Sequence, residues 1–167
     1  ADLRACVGRV DAPVLIDQEG GRIARLAPPH WDARPAARRF GELWLNDPDA
    51  ALAAARLNAI LIAEDLRRAG ISVDCSPVLD LPAPGGHAVI GDRAFASDAY
   101  AVAALGGAVV SGLAAGGVSA VIKHLPGHGR AGADSHVKLP VVDATRSELE
   151  KTDFAPFRAL NWVPWGM

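Results

Sequence analysis

Short apolar runs alternate along the chain with longer amphipathic stretches. The run "APVLI" ends at Asp17, and "ISVDCSPVLDLP" enters a polar turn at Asp80. A third run, "VSAVI", leads into Lys123 and His124. Runs of this length that are closed by polar or glycine-rich turns predict buried strands. We therefore expect three strands, each of which gives way to a loop at a polar residue.

Two long helices are predicted between these strands. The first begins with Asp47 as its N-cap and Pro48 in its first turn, and it ends before Gly70. Its apolar stripe is predicted to consist of Leu57, Ile60 and Leu61. The second helix covers about residues 97–115. Its apolar face is predicted to consist of Val102, Leu105, Val109 and Leu113. A shorter helix, disturbed at Pro156, follows in "TRSELEKTDFAPFRAL", and "WVPWGM" has the pattern of an opening strand.

The order strand, helix, strand, helix, strand, helix is typical of right-handed parallel crossovers. The predicted fold class is therefore α/β. In a parallel sheet the carboxyl ends of the strands lie at the same edge, so Asp17, Asp80, Lys123 and His124 should lie near one another. Ligands bind at this edge in barrels and at the switch points of open sheets.

The composition fits one domain that acts on a small molecule. The chain has 167 residues, and half of its side chains are hydrophobic, which is enough for one core. Its 17 basic and 19 acidic residues give a net charge of −2 without charged blocks, so neither a nucleic-acid face nor a polybasic membrane anchor is indicated. No apolar run approaches the roughly 18 residues of a membrane span. Cys6 and Cys75 lack the spacing of a disulfide framework, which favours buried thiols and a reducing compartment.

The segment "DQEGGR", residues 17–22, admits two interpretations. Paired glycines can expose backbone N–H groups to a phosphate, but this spacing matches neither of the common phosphate-binding loops. The alternative is a tight turn with solvated charges. Asp17 at a strand end, with Arg22 and Arg25 nearby, would suit a polyhydroxylated ligand that needs both acceptors and donors. Arg93, in "GGHAVIGDRAF", is on its own most simply a surface residue.

The segment "KHLPGHGRAGADSH", residues 123–136, admits three interpretations. A divalent metal ion could be held by His124, His128, Asp134 and His136. Against this, Pro126 and Gly127 break the helix that would place two of these histidines on one face. Alternatively, a carboxylate at Asp134 could fix the tautomer of His136 and make it a general acid/base. The third interpretation is a plain polar loop, and spacing alone does not decide among the three.

The segments "LIDQEGGRIARL", "SPVLDL", "IGDRAF" and "KHLPGHGRAGADSH", in this order and at these separations, resemble the bacterial β-N-acetylhexosaminidases of glycoside hydrolase family 3. The resemblance covers essentially the whole chain, and the combination K-H-[FIL]-P-G-H-G with D-S-H is specific to that branch. It implies a (β/α)8 TIM-type barrel. It also implies an enzyme that removes terminal, non-reducing β-linked N-acetylglucosamine from cell-wall fragments during peptidoglycan recycling in the bacterial cytoplasm.

The resemblance further implies roles for individual residues. The expected sugar-binding residues are Asp17, Arg25, Arg93, Lys123 and His124. His136 would be the general acid/base and Asp134 its dyad partner. The mechanism would be retaining, through a covalent glycosyl-enzyme, with histidine in a role that a carboxylate usually takes. We expect no cofactor and no resident metal ion, and the expected partners are cell-wall saccharides that contain N-acetylglucosamine, not nucleic acid or membrane.

Two departures from the family pattern matter. Leu125 stands where phenylalanine is common, a packing change that should be mild. The family's nucleophilic aspartate lies in a Ser-Asp-Asp segment, which does not occur in these 167 residues. Asp80 and Asp92 match other positions of the family pattern. The resemblance therefore implies that the nucleophile lies outside this sequence and that residues 1–167 alone are inactive.

The length leads to the same expectation. A (β/α)8 barrel takes about 250 residues, whereas the sequence shows three strands and the start of one more. We expect residues 1–167 to form a partial (β/α)8 catalytic domain with strands two to four and the start of strand five. The first strand and the C-terminal half would be lacking. Such a half barrel leaves sheet edges uncovered, so the missing part of the same polypeptide or a second copy should be needed to close the fold.

Overall fold

The computed structural model describes residues 3–86, 88–133 and 137–167. The helices are α1 (Leu3–Cys6), α2 (Ala37–Trp44), α3 (Pro48–Arg68), α4 (Ala99–Ala115), α5 (Arg146–Lys151) and α6 (Phe154–Ala159). The strands are β1 (Leu15–Ile16), β2 (Gln18–Gly20), β3 (Ile23–Ala24), β4 (Val73–Asp74) and β5 (Ser119–Ala120). A single 3-10 turn is found in the described part, at Gly91–Arg93.

Three of these strands form a parallel sheet in the order β1-β4-β5. Helix α3 connects β1 to β4 together with the preceding segment, and α4 connects β4 to β5, so the predicted α/β class is confirmed. Parallel pairing continues past the regular strands, where Val78 bridges Lys123 and Ile122 bridges Gly166. The second bridge confirms that "WVPWGM" begins to pair as a strand.

Helix α3 follows the predicted bounds but not the predicted apolar stripe. Asp47 caps it by accepting a hydrogen bond from the backbone N–H of Ala50 at 3.0 Å. However, Leu57 and Leu61 are 57% and 42% exposed. The buried residues of α3 are instead Ala51, Ala55, Ala59, Ile62, Ala63 and Leu66. The reason is close helix packing, because a Cβ built on Gly112 of α4 would lie only 2.6 Å from the Cβ of Ala59.

Helix α4 confirms the predicted apolar face. It begins at Ala99, with the carboxylate of Asp98 accepting from the backbone N–H of Ala101 at 2.8 Å. Its buried residues include Val102, Leu105, Val109 and Leu113. These side chains join a core cluster with the alanine face of α3 and with apolar residues of the sheet. The sheet is therefore covered by the α3–α4 pair.

Several features differ from the sequence expectations. The β2–β3 hairpin and helix α2 were not predicted, because no long apolar period marks them. The predicted third helix is divided into α5 and α6, and the break lies at Thr152 and Asp153, ahead of Pro156. Proline is tolerated there because it occupies the first turn of α6. Cys75 is buried as expected, but Cys6 is exposed. No described helix has the combination of length and hydropathy that a bilayer span requires.

Adding a methyl group to α4 should have opposite effects at two of its glycines. A Cβ on Gly112 would lie 2.4 Å from the carbonyl oxygen of Arg56, whereas the nearest atom to a Cβ on Gly107 is 3.5 Å away. We expect Gly112→Ala to lower the free energy of unfolding by about 1–3 kcal/mol through overpacking. Gly107→Ala should raise it by about 0.5–1 kcal/mol, because alanine loses less backbone entropy than glycine. Urea unfolding of the two variants measures both changes, and equal effects would contradict this packing.

Candidate active site

Polar residues from three strand ends meet at one edge of the parallel sheet. Asp17 follows β1, Lys123 and His124 follow β5, and Asp80 lies beyond β4. Arg93 reaches them from the 3-10 turn. The Nζ atom of Lys123 lies 2.6 Å from a carboxylate oxygen of Asp17, and Nε2 of His124 lies 3.3 Å from Nη2 of Arg93. The predicted convergence of the polar strand ends is confirmed.

The Lys123 ammonium group is buried between two carboxylates. Its side chain is 2% exposed, and Nζ lies 2.6 Å from Oδ1 of Asp17 and 2.7 Å from Oε1 of Glu19. Its backbone is fixed on both sides by the parallel pairing, since its N–H donates to Pro77 and its carbonyl accepts from Leu79. A buried ammonium without such partners would cost several kcal/mol. An ammonium carries three hydrogens, so these two contacts leave one hydrogen for a further acceptor.

Glu19 also holds Arg93. The Nε and Nη2 atoms of Arg93 donate to the two carboxylate oxygens of Glu19, each at 2.8 Å. This is the bidentate geometry in which guanidinium and carboxylate match best. The Glu19 side chain is 6% exposed, so it faces the two cations and not solvent. One buried carboxylate therefore connects Arg93 to Lys123.

His124 is held in one tautomer by Asp80. Its Nδ1 lies 2.5 Å from Oδ2 of Asp80, and its Nε2 faces Nη2 of Arg93. A guanidinium can only donate, so Nε2 of His124 accepts a hydrogen bond from Arg93. The ring hydrogen is therefore on Nδ1, which donates to Asp80. Asp80 is fully buried, and its other oxygen accepts from the backbone N–H of His128 at 2.7 Å. Asp80 thus fixes both the ring and the start of the loop that follows.

The "DQEGGR" turn is a structural hairpin and not a phosphate cradle. Gly20 and Gly21 have φ values of +87° and +55°, which favour glycine. The backbone N–H of Gly21 donates to the carbonyl of Arg34 at 2.8 Å, so it is not available to an anion. Arg22 pairs with Asp92 at 2.8 Å and with the carbonyls of residues 88–90, which ties the hairpin to that loop.

Arg25 is positioned through its backbone. The buried side chain of Gln18 accepts from the backbone N–H groups of Arg25 and Leu26 and donates to the carbonyl of Leu26. Within the described residues, the Arg25 guanidinium makes no ion pair, yet its charge acts on Asp17. Its guanidinium is therefore held by fewer charged partners among the described residues than Lys123 or Arg93 is.

The cations of the site shift the acidity of their partners. Partial burial by itself would raise the pKa of Asp17, but the hydrogen bond and charge of Lys123, with the charges of Arg25 and Arg93, lower the pKa overall. Burial by itself would lower the pKa of Arg93, but Glu19 outweighs it and raises that pKa. Asp17 is thus held as a carboxylate that is still 41% exposed and can accept hydrogen bonds from a ligand.

Asp74 is a third buried carboxyl group, after Glu19 and Asp80. It lies in β4 and is 1% exposed. Its Oδ1 accepts from the backbone N–H of Gln18 at 3.0 Å, and its Oδ2 has no partner among the described residues. Burial raises its pKa to about 8, assisted by the charges of Glu19 and Asp17 and opposed by Gln18 and Lys123. The group is therefore protonated near neutral pH.

The segment that leads toward the acid/base candidates is anchored at Arg130. Its guanidinium contacts Asp153 at 2.7 Å and Glu148 at 2.9 Å, so residues of α5 and of the α5–α6 junction hold it. Asp134 and His136 themselves lie outside the described residues. Their proposed roles therefore remain predictions.

A metal site is not assembled by the described part of the loop. Among the described residues, no group of three or more His, Cys, Asp or Glu side chains is close enough to hold an ion. Both ring nitrogens of His124 already take part in hydrogen bonds, one of them with Arg93. Asp134 and His136, the other half of the metal hypothesis, lie outside the described residues.

Sequence reasoning did not assign roles to Glu19 and Asp74, and it placed Asp80 at the edge of the sheet without predicting that it holds His124. Glu19 could have been found, because residues two apart in an extended segment share a face and Asp17 had already been placed at the site. Asp74 gave no such signal, since its role depends on neighbours distant in sequence.

A parallel α/β domain with a charged cluster at its strand ends belongs to the class of proteins that bind ligands at this edge. More specifically, the chain belongs to glycosyl hydrolase family 3, because the model of that family's N-terminal domain matches residues 3–161. This confirms the resemblance drawn from the four motifs. That domain is TIM-barrel-like, which agrees with the predicted TIM-type class.

Named relatives agree with this family. A beta-hexosaminidase of Bordetella avium is 43% identical over 144 residues, which are 86% of this chain and 41% of the relative. The crystal structure of NagZ from Neisseria gonorrhoeae in complex with N-trifluoroacetyl-D-glucosamine has 39% identity and a TM-score of 0.86, over 93% of this chain and 46% of that one.

A more distant neighbour has a longer chain. The structure of a glycoside hydrolase family 3 beta-N-acetylglucosaminidase from Paenibacillus has 37% identity and a TM-score of 0.81, over 93% of this chain and 28% of that one. The chain spans about two-fifths of the length of the curated relatives it matches.

Replacing Asp74 should change how stability depends on pH. Between about pH 4 and pH 8 the folded state keeps the proton of Asp74 while the unfolded state loses it, so the contribution of Asp74 to stability falls as pH rises. Asp74→Asn cannot titrate. Its stability relative to wild type should therefore rise by about 1.4 kcal/mol per pH unit in this window and level off above it.

Urea unfolding from pH 5 to pH 9 measures this difference. Asp32→Asn, at an exposed aspartate, is the control and should follow the wild-type curve. A constant difference between Asp74→Asn and wild type at every pH would show that Asp74 is not protonated in the folded protein.

Proposed function

We propose that the protein to which this chain belongs is a retaining β-N-acetylhexosaminidase that removes terminal, non-reducing β-linked N-acetylglucosamine from peptidoglycan fragments. Its proposed setting is cell-wall recycling in the cytoplasm. The observation that carries the proposal is the charged cluster at the strand ends of a family 3 domain. The names of the relatives, and the glucosamine derivative held in the Neisseria complex, support the choice of substrate.

The proposed sugar-binding residues are Asp17, Arg25, Arg93, Lys123 and His124. They offer what a pyranose needs, since hydroxyl groups both donate and accept hydrogen bonds. The exposed oxygen of Asp17 supplies an acceptor, and Lys123 retains a donor hydrogen. Specific hydrogen bonds of this kind discriminate strongly against analogues that lack the matching group.

Catalysis is proposed to rest on the loop after residue 133. A carboxylate from outside residues 1–167 attacks the anomeric carbon while His136 donates a proton to the leaving oxygen. In the second step, His136 accepts a proton from water, which attacks the anomeric carbon and releases the carboxylate. Asp134 would hold the tautomer of His136, as the buried Asp80 holds that of His124.

The partial-barrel organisation belongs to the same proposal. Residues 1–167 would supply strands two to four and the start of strand five, and another part of the polypeptide or a second copy would supply the remainder. The exposed side chains of Trp162, Trp165 and Met167 near the edge of the sheet support this arrangement. In the complete enzyme these apolar surfaces would be covered.

The decisive test of the proposal is turnover of an aryl N-acetyl-β-glucosaminide. The complete natural polypeptide should hydrolyse it, and His136→Ala should lower kcat by about 10²–10⁴-fold, the usual contribution of a general acid/base. His30→Ala, at an exposed histidine, is the matched control and should retain wild-type kcat. Residues 1–167 alone should give no turnover.

Each part of the proposal can fail separately. Normal kcat in His136→Ala would contradict the acid/base assignment, and turnover by residues 1–167 would contradict the external nucleophile. Calorimetric binding of N-acetylglucosamine without any hydrolysis by the complete polypeptide would favour a sugar-binding role. Stoichiometric metal, with loss of activity on chelation, would favour metal-assisted hydrolysis.

A further inference from the structure

We propose that Glu19 is a positioning residue of the sugar-binding site. It sets the places of Lys123 and Arg93 relative to each other and does not touch the sugar. The inference rests on the proposed function, because it concerns the same site.

Three charge-assisted contacts converge on the carboxylate of Glu19. Its Oε1 lies 2.7 Å from Nζ of Lys123 and accepts a hydrogen bond from Nη2 of Arg93 at 2.8 Å. Its Oε2 accepts a hydrogen bond from Nε of Arg93 at 2.8 Å. All three side chains are largely buried, with exposures of 6%, 2% and 12% for Glu19, Lys123 and Arg93. Two cations this close repel each other, and the buried anion between them offsets that repulsion.

The neighbours of Glu19 fix its backbone. Gly20 has a φ of +87°, and a Cβ at that position would lie 2.4 Å from the carbonyl oxygen of Pro35. On the other side, the backbone N–H of Gln18 donates to Asp74. The backbone of Glu19 is therefore held between a tight turn and the sheet. A carboxylate on such a fixed backbone can hold two long, flexible cationic side chains in place.

Glu19 connects the two arms of the site. On one side, Lys123 contacts both Glu19 and Asp17, and its Nζ lies 2.6 Å from Oδ1 of Asp17. On the other side, Arg93 contacts both Glu19 and His124, and its Nη2 lies 3.3 Å from Nε2 of His124. Asp17 and His124 are the more exposed ends of this chain of contacts, at 41% and 27%. A shift of Glu19 thus moves both ends of the surface that would meet the sugar.

A glutamine cannot replace this carboxylate, although it has the same shape. If its oxygen takes the place of Oε1, its NH2 group faces Nε of Arg93, and both are donors. If the amide is flipped, the NH2 group faces Lys123 and Nη2 of Arg93 instead. In either orientation a cation loses its partner and moves. Aspartate keeps the charge but is one methylene shorter, so it restores part of the arrangement.

The test uses the complete natural polypeptide with three variants. Glu19→Gln should lower kcat/KM about 100-fold, the scale expected when binding groups shift by about 1 Å. The loss should fall mainly on kcat, because displaced groups still bind the sugar but no longer fit the transition state. Glu19→Asp should recover about tenfold of that loss, since it keeps the negative charge between the cations.

The matched control is Asp65→Asn. It breaks another largely buried ion pair, in which Nη2 of Arg34 lies 2.7 Å from Asp65. The backbone carbonyl of Arg34 supports Gly21, but no hydrogen bond or ion pair of the described residues joins either side chain of the pair to Glu19, Lys123 or Arg93. Its melting temperature should therefore fall about as much as that of Glu19→Gln, while its kcat stays within about twofold of wild type. Equal kcat in Glu19→Gln and Asp65→Asn would overturn the inference.

Failure of the proposed function can be recognised separately. It would show as wild-type protein without turnover, and a crystal structure of Glu19→Gln then decides the inference. The inference holds if the Arg93 guanidinium has moved away from Nε2 of His124 by about 1 Å or more, the scale on which misplacement affects catalysis. It is overturned if Arg93 and Lys123 keep their wild-type positions.

Discussion

A lysine ammonium that has lost contact with water must be neutralised by carboxylates at short distance, and Lys123 imposes this constraint on the whole site. Its Nζ lies within 2.7 Å of carboxylates from Asp17 and Glu19, which come from the segment after β1. Because burial removes the ammonium from water, an unpaired ammonium at this place would cost far more free energy than one that is paired with two carboxylates. The segment after β1 and the end of β5 are therefore tied together by charge.

From this constraint follows a division of the site into two layers. Glu19, Asp80 and Asp74 are almost fully buried and contact protein groups. Asp17 and His124 are partly exposed and lie at the ends of the contact network. The buried carboxyl groups fix the cations and the histidine tautomer, so the exposed groups meet a ligand in one arrangement. Preorganisation of this kind lowers the entropy cost of binding and of transition-state stabilisation.

How much of this could be predicted depends on whether the signal was local. The bounds of α3 could be predicted because Asp47, Pro48 and Gly70 act through their own backbone neighbours. The convergence of Asp17, Lys123 and His124 could be predicted because parallel topology places strand ends together. The four motifs then identified the family, and the model of its N-terminal domain agrees over residues 3–161.

The features that were missed depend on contacts between distant segments. The alanine face of α3 was overlooked because close packing against Gly112 favours small side chains over leucines. The two-residue spacing from Asp17 places Glu19 on the same face, but nothing in "DQEGGR" shows that Arg93, 74 residues away, would become its partner.

A buried layer of carboxyl groups holds a separate, partly exposed layer, and this exposed layer is proposed to bind the sugar. A crystal structure of the complete polypeptide with N-acetylglucosamine tests it most directly. We expect a sugar hydroxyl in hydrogen-bond contact with Asp17 and the sugar in contact with the exposed part of the His124 ring, with Glu19 and Asp80 keeping their protein partners. A sugar bound elsewhere, or bound directly by Glu19 after it has released Arg93, would contradict this arrangement.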